Sequence, residues 1–182
     1  DREPLIGFMA EEPVLLVGTV GENIARFADG AQETVHLALL RSGSGPVVMA
    51  LPDGLETQIA ATAAHVTPRA RQAVALARAL AGQPRLVVLD EPERGLTAAG
   101  VGTLARSLAA LKHDGAVIVL ATHEPTLAGL ADVVVNLDGA RAYGSDIDHR
   151  PALAIPAQAI PAQALRGRIS APPAPAQRRA LH

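Results

Sequence analysis

The sequence predicts an α/β fold built on a parallel sheet, and two stretches carry that expectation. Leu86-Val87-Val88-Leu89 and Ala116-Val117-Ile118-Val119-Leu120 are unbroken apolar runs rich in branched residues, the pattern of short buried strands. Between them Val101, Leu104, Leu108 and Leu111 recur at helical spacing up to His113-Asp114-Gly115, where the glycine ends the helix. Strand, helix and strand in that order imply a right-handed crossover and parallel pairing.

The other elements follow in order. Residues 5–9 read as a short strand, closed by Glu11-Glu12-Pro13. Thr19 and Glu22 have the spacing of a capping box and open a helix that should reach Phe27. A second helix is expected over 32–40, stopped by Ser42-Gly43-Ser44-Gly45-Pro46. A short apolar run at 47–51 leads to the turn Pro52-Asp53-Gly54 and a loop reaching His65. Thr67-Pro68 then supplies an N-cap and a first-turn proline for an alanine-rich helix over 69–80. After the second core strand, residues 125–130 read as one more short helix and 133–137 as a third strand closed by Asp138-Gly139.

Composition bounds the chemistry. A chain of 182 residues with 49% hydrophobic residues can bury one domain-sized core. Aromatics make up only 2%, so the core is aliphatic and stacking platforms for single-stranded nucleic acid are not expected. No cysteine is present, which excludes disulfides, thiolate metal sites and cysteine nucleophiles. The opening Asp1-Arg2-Glu3-Pro4 does not read as a signal peptide, and no apolar run approaches the roughly 20 residues of a membrane-spanning helix.

The formal charge of −2 conceals two unlike parts. Residues 1–149 carry 11 Lys and Arg against 18 Asp and Glu, whereas residues 150–182 carry five Arg and no acid. From about Ser145 the apolar periodicity ends, and Ala154-Ile155-Pro156-Ala157-Gln158 repeats as Ala159-Ile160-Pro161-Ala162-Gln163. Six of the 14 prolines fall in this tail, which is expected to be a disordered or linking segment.

The chemistry concentrates at Asp90-Glu91-Pro92, where a buried strand delivers two carboxylates at its carboxyl end, the end at which open α/β sheets hold ligands. Alternation along the strand should send the two acids in different directions. One acid then suits a hydrated magnesium ion and the other can orient and polarise a water. A solvated acidic turn would have the same sequence.

Taken together these segments resemble the nucleotide-binding domain of ABC transporters of the exporter type, nearest the permease/ATPase of type I secretion. Residues 86–92 look like the Walker B strand, and His123, just past the next strand, looks like the switch histidine. Gly18-Thr19-Val20-Gly21-Glu22-Asn23-Ile24 resembles the exporter segment after the Q-loop, and Leu51-Pro52-Asp53-Gly54-Leu55-Glu56-Thr57 the turn before the signature motif. Ala75-Leu76-Ala77-Arg78-Ala79-Leu80 followed by Pro84 is similar to the usual approach to Walker B.

The resemblance covers residues 2–144 and implies a P-loop NTPase-like parallel sheet core over 84–144 with a helical subdomain over 18–80. It assigns Glu91 and His123 to catalysis, Asp90 and Glu11 to magnesium, and Glu11, Thr67, Arg69 and Thr97 to contact with ATP. It further implies a second ATPase domain of the same kind, identical or not, a transmembrane permease, no nucleic acid, and a place on the cytoplasmic face of the cell membrane.

The departures from the family pattern are specific. No G-x-x-x-x-G-K-[ST] occurs in the 182 residues, so against the family this is an N-terminally incomplete domain: either the C-terminal part of a longer protein, which is preferred, or a stand-alone remnant. Glu11 stands where the family has glutamine. The signature is Val66-Thr67-Pro68-Arg69-Ala70, in which Thr67 keeps a hydroxyl, Pro68 lacks an amide hydrogen and Arg69 replaces a small residue. Arg69 either offers its guanidinium to phosphate or is simply solvated. Thr97 replaces the D-loop aspartate.

Two further readings compete with an ATP-hydrolysing exporter domain. One is a degenerate partner domain that binds nucleotide and transmits motion, favoured by the altered signature, Thr97 and Glu11. The other is a DNA-repair or chromosome ATPase of the same superfamily, disfavoured by the exporter-like segments at 18–24 and 51–57.

Overall fold

A computed structural model describes residues 6–61 and 65–135. The strands β1 (Ile6–Met9), β4 (Leu86–Asp90) and β5 (Val117–Ala121) form one parallel sheet in the order β1-β4-β5. Registers run from Ile6↔Leu86 to Met9↔Leu89 and from Leu86↔Val117 to Asp90↔Ala121. The two expected core strands are therefore parallel neighbours, and both end at the same edge of the sheet.

Alternation divides the sheet into two faces. Met9, Val87 and Leu89 are buried against Leu76 and Leu80 of α4 (Pro68–Leu80) and Leu104 and Leu108 of α5 (Ala98–His113). The opposite face shows Ile6, Phe8, Val117 and Val119 to solvent, each more than half exposed. No residue of β5 is fully buried, which corrects the expectation of a buried second strand: the described residues cover one face of the sheet only.

Helix α4 is the shared wall of two cores. Ala75, Leu76, Ala79 and Leu80 belong to the sheet side, whereas Ala70, Ala73, Val74 and Ala77 pack on a helical cluster with Val20, Ile24, Val35, Leu39, Val48 and Val66. A helix buried on two sides needs small residues to let its neighbours approach, which is why this one is rich in alanine. The helical cluster comprises α1 (Val20–Ala25), α2 (Gln32–Ser42) and α3 (Gly45–Met49), the last beginning with Pro46 in its first turn.

Local chemistry sets the helix ends. In the capping box Glu22 N donates to Thr19 Oγ1 at 3.0 Å and Thr19 N to Glu22 Oε2 at 2.6 Å. Helix α1 stops at Ala25 rather than Phe27 because Arg26 and Phe27 are left-handed, with φ of 56° and 58°. The bend sends the Arg26 guanidinium to Arg78 O at 3.0 and 3.2 Å, where a cation satisfies carbonyls of the last turn of α4. Burial lowers the Arg26 pKa from its ordinary value.

The segment before His65, read as a loop, instead contains a 3-10 turn at Gly54–Glu56 and a strand, β3 (Gln58–Ile59), antiparallel to β2 (Gly18–Thr19). Two-residue strands carry no alternation to read. Helix α6 (Pro125–Ala128) is shorter than expected. Val133, Val134 and Val135 are exposed and in no strand, which corrects the described part of the third-strand expectation. Residues 136 and 137 and the proposed tail boundary at 144 lie outside the described residues.

Asn23 is fully buried and holds the entry to α1. Its Oδ1 accepts from Leu16 N at 2.8 Å, and its Nδ2 donates to Leu16 O and Thr19 O, both at 2.9 Å. Asn23→Ala removes all three of these bonds, which tie the chain at Leu16 and Thr19 to the start of α1, and is expected to cost about 2–3 kcal/mol. Urea unfolding at constant m-value is the check, and a change under about 0.5 kcal/mol would contradict it.

Candidate functional site

Strand pairing stops at Asp90↔Ala121, and Glu91 N donates to Ala121 O at 2.8 Å. Glu91 itself is left-handed (φ 45°, ψ 53°), an uncommon conformation for a residue with a Cβ. It thus leaves the strand by a turn, and the expected alternation of the two acids does not extend to it. Backbone of this kind concentrates at functional sites. A short 3-10 turn, Pro92–Gly95, follows.

That turn reaches across to the loop after β5. Glu93 Oε1 accepts from Thr122 Oγ1 at 2.8 Å and from His123 N at 3.0 Å, while Thr122 Oγ1 accepts from Glu124 N at 3.0 Å. The second Glu93 oxygen, Oε2, is buried with no hydrogen-bond partner. This clasp brings His123 Nε2 to 3.6 Å from Glu91 Oε1, with the Glu91 side chain 21% exposed and the imidazole 74% exposed.

Arg94 completes the cluster. Its Nε lies 2.6 Å from Glu91 Oε2, and its Nη1 pairs with Glu11 Oε1 in the loop after β1. These carboxylates, Glu11 first, raise the Arg94 pKa above its ordinary value. Gln72 Nε2 of α4 donates to Glu11 O at 3.3 Å, fixing that loop to the helix.

The expected contact residues at helix starts serve as caps. Thr67 Oγ1 accepts from Ala70 N and Thr97 Oγ1 from Gly100 N, each at 3.2 Å. Arg69 is exposed, and its Nε donates to Gly95 O at 3.3 Å, so it braces the turn that carries Glu91. The structure therefore gathers Glu11, Asp90, Glu91 and His123 around one corner of the sheet, with Arg69 joined to its turn. Thr67 and Thr97 sit at the N-termini of α4 and α5.

Sequence reading passed over Glu93 and Arg94. An acid and an arginine spaced i, i+3 at 91 and 94 were the available signal for the second, whereas nothing local announced the first.

Magnesium keeps several waters and needs only one or two carboxylates beside substrate phosphates. Among the described residues no group of three or more His, Asp or Glu could hold a metal unaided. Half-buried Asp90 at the strand end fits such a role, whereas the Glu11 carboxylate is committed to Arg94.

No protein-family model matches the chain. It is 33% identical over 137 residues to the type I secretion system ATP-binding protein PrsD of Rhizobium meliloti (strain 1021), covering 75% of this chain and 24% of that protein. It is 36% identical over 140 residues to the multidrug efflux ATP-binding/permease protein of Mycobacterium bovis (strain BCG / Pasteur 1173P2), covering 75% of this chain and 11% of that protein. A solved bacterial Atm1-family ABC exporter with ATP bound aligns at TM-score 0.57 and 25% identity, over 68% of this chain and 22% of that one. The chain thus spans a quarter or less of the length of these relatives.

Proposed function

Because the chain is homologous to the ATP-binding subunits of ABC exporters, we propose that it forms part of the ATP-binding and ATP-hydrolysing motor of such an exporter. The observation that carries this reading is the approach of Glu91 and His123 from the ends of two adjacent parallel strands. A carboxylate and an imidazole whose polar atoms lie 3.6 Å apart can both reach one water lying beside the pair, the carboxylate as acceptor and the imidazole as donor.

In this reading Glu91 accepts the proton of the attacking water, and His123 donates to the phosphate or orients the water. Asp90 would hold a hydrated magnesium ion, which would supply positive charge to the bound phosphates. The phosphates also need a glycine-rich loop with lysine, a pattern these 182 residues do not contain.

Two ATPase domains close on nucleotide, with the start of α4, Thr67 and Arg69, facing the phosphate bound by the partner domain. No described helix is long and apolar enough to cross a membrane. In this reading the link to the membrane is a permease domain, with the motor on its cytoplasmic face. The PrsD relative favours type I protein secretion as the process served.

ATP-driven association tests the proposal. Sedimentation of the motor domains with ATP and magnesium is expected to show a dimer that is absent without nucleotide. Arg69→Ala is expected to weaken it about tenfold, the scale of one charge-assisted phosphate contact. Association that ignores ATP would exclude the motor reading, and an unchanged Arg69→Ala variant would confine Arg69 to bracing Gly95.

A further inference from the structure

Arg94 touches two acids that lie far apart in sequence and serve different parts of the site. Its Nε meets Glu91 Oε2 at 2.6 Å, and its Nη1 pairs with Glu11 Oε1. Both ends of this contact are anchored by backbone. Arg94 N donates to Glu91 O at 3.2 Å, Gln72 Nε2 holds Glu11 O, and Arg69 Nε holds Gly95 O. With one Glu91 oxygen taken by Arg94, the other, Oε1, is the one that faces His123.

From this arrangement we infer that Arg94 is a positioning residue: it aims the Glu91 carboxylate at His123 and cancels the charge of Glu11 where a triphosphate must approach. The inference rests on the motor reading above.

Two separable effects follow. The first is geometric. A carboxylate held on one oxygen by a guanidinium has its second oxygen fixed in direction, and misplacing a reacting group by about an ångström can cost 10²-fold in rate. The second is electrostatic. Glu11, Glu91 and Arg94 sum to a single negative charge, the same as Glu91 alone, so the acid at position 11 adds no net repulsion toward phosphate. Lysine would restore the charge but, with a single ammonium in place of the fork, would not bridge both acids in fixed geometry.

The test combines Arg94→Ala, Arg94→Lys, Glu11→Gln and the double variant Glu11→Gln/Arg94→Ala. In the assembled transporter, Arg94→Ala is expected to lower kcat by 10- to 100-fold. The same variant should weaken ATP binding about fivefold, read without magnesium by a fluorescent ATP analogue. Adding Glu11→Gln should recover the binding but not kcat, and Arg94→Lys should likewise recover binding while kcat stays low.

In the nucleotide-free 182-residue chain, the 11/94 double-mutant cycle should show coupling of about two- to fivefold in the unfolding equilibrium constant. Strictly additive effects there, or Arg94→Ala with unaltered kcat, would overturn the inference. Parent protein that shows coupling yet neither binds nor hydrolyses ATP would sink the motor reading, and the positioning role with it, while leaving the bridge established.

Discussion

Glu91→Gln is expected to reduce ATP turnover by the assembled transporter by about 10²- to 10⁴-fold while leaving ATP-driven association intact. The exchange is nearly isosteric. The amide oxygen of glutamine can still accept from Arg94, and the side chain still meets His123, so the left-handed turn and the clasp beneath it need not move. What disappears is the basic oxygen that takes a proton from water, and only the step requiring that transfer should suffer. Binding of ATP between two domains does not use the proton, so an ATP-loaded dimer should persist where the parent releases it.

Phosphate release and sedimentation on the same samples separate the two. A variant retaining more than about a tenth of parental turnover would place the base elsewhere. Asp90 and Glu93 would be the next acids to replace, Asp90 as the adjacent strand-end carboxylate and Glu93 for its unpartnered buried oxygen.

What could be read from the sequence were features whose signal lies within a few residues. The Thr19/Glu22 box and the Thr67 cap each satisfy amides three positions ahead, so α1 and α4 open where expected. The strands β4 and β5 carry enough branched residues in a row to announce themselves, and the helix between them fixes their parallel pairing.

The contacts that assemble the site are of another kind. Glu93 meets Thr122 and His123 from 29 and 30 residues away, and Arg94 meets Glu11 across 83. No periodicity encodes such partners. Nor does a local pattern announce that Glu91 turns left-handed at the end of a strand, or that Arg26 turns back to cap a helix 52 residues on. Resemblance supplied the site residues as a set; only coordinates place an arginine between two of its acids.

Gly7→Ala is expected to be the most damaging single-methyl change in the described chain, destabilising it by about 3 kcal/mol or more. A Cβ at Gly7 would lie 2.1 Å from Ala79 O and 3.1 Å from Ala79 C, both backbone atoms of the last turn of α4. Neither can swing aside as a side-chain tip would, and Ala79 O is also approached by Arg26 Nη2 at 3.4 Å. Relief therefore requires β1 to shift bodily away from α4. That motion would strain the Gly7↔Val87 pairing and draw Met9 out of the sheet-side core.

It would also displace Glu11, two residues past the strand, from Arg94. Loss of stability and loss of the charge bridge should then appear together.

Gly102→Ala gives the opposite expectation from the same atom added. Its Cβ meets nothing nearer than Arg106 Nη1 at 3.7 Å, and within α5 the exchange should stabilise by about 0.5–1 kcal/mol. Urea unfolding of both variants reads the difference directly. A Gly7→Ala protein within about 1 kcal/mol of the parent would mean that the strand and helix can separate at low cost, and that α4 does not fix the loop carrying Glu11.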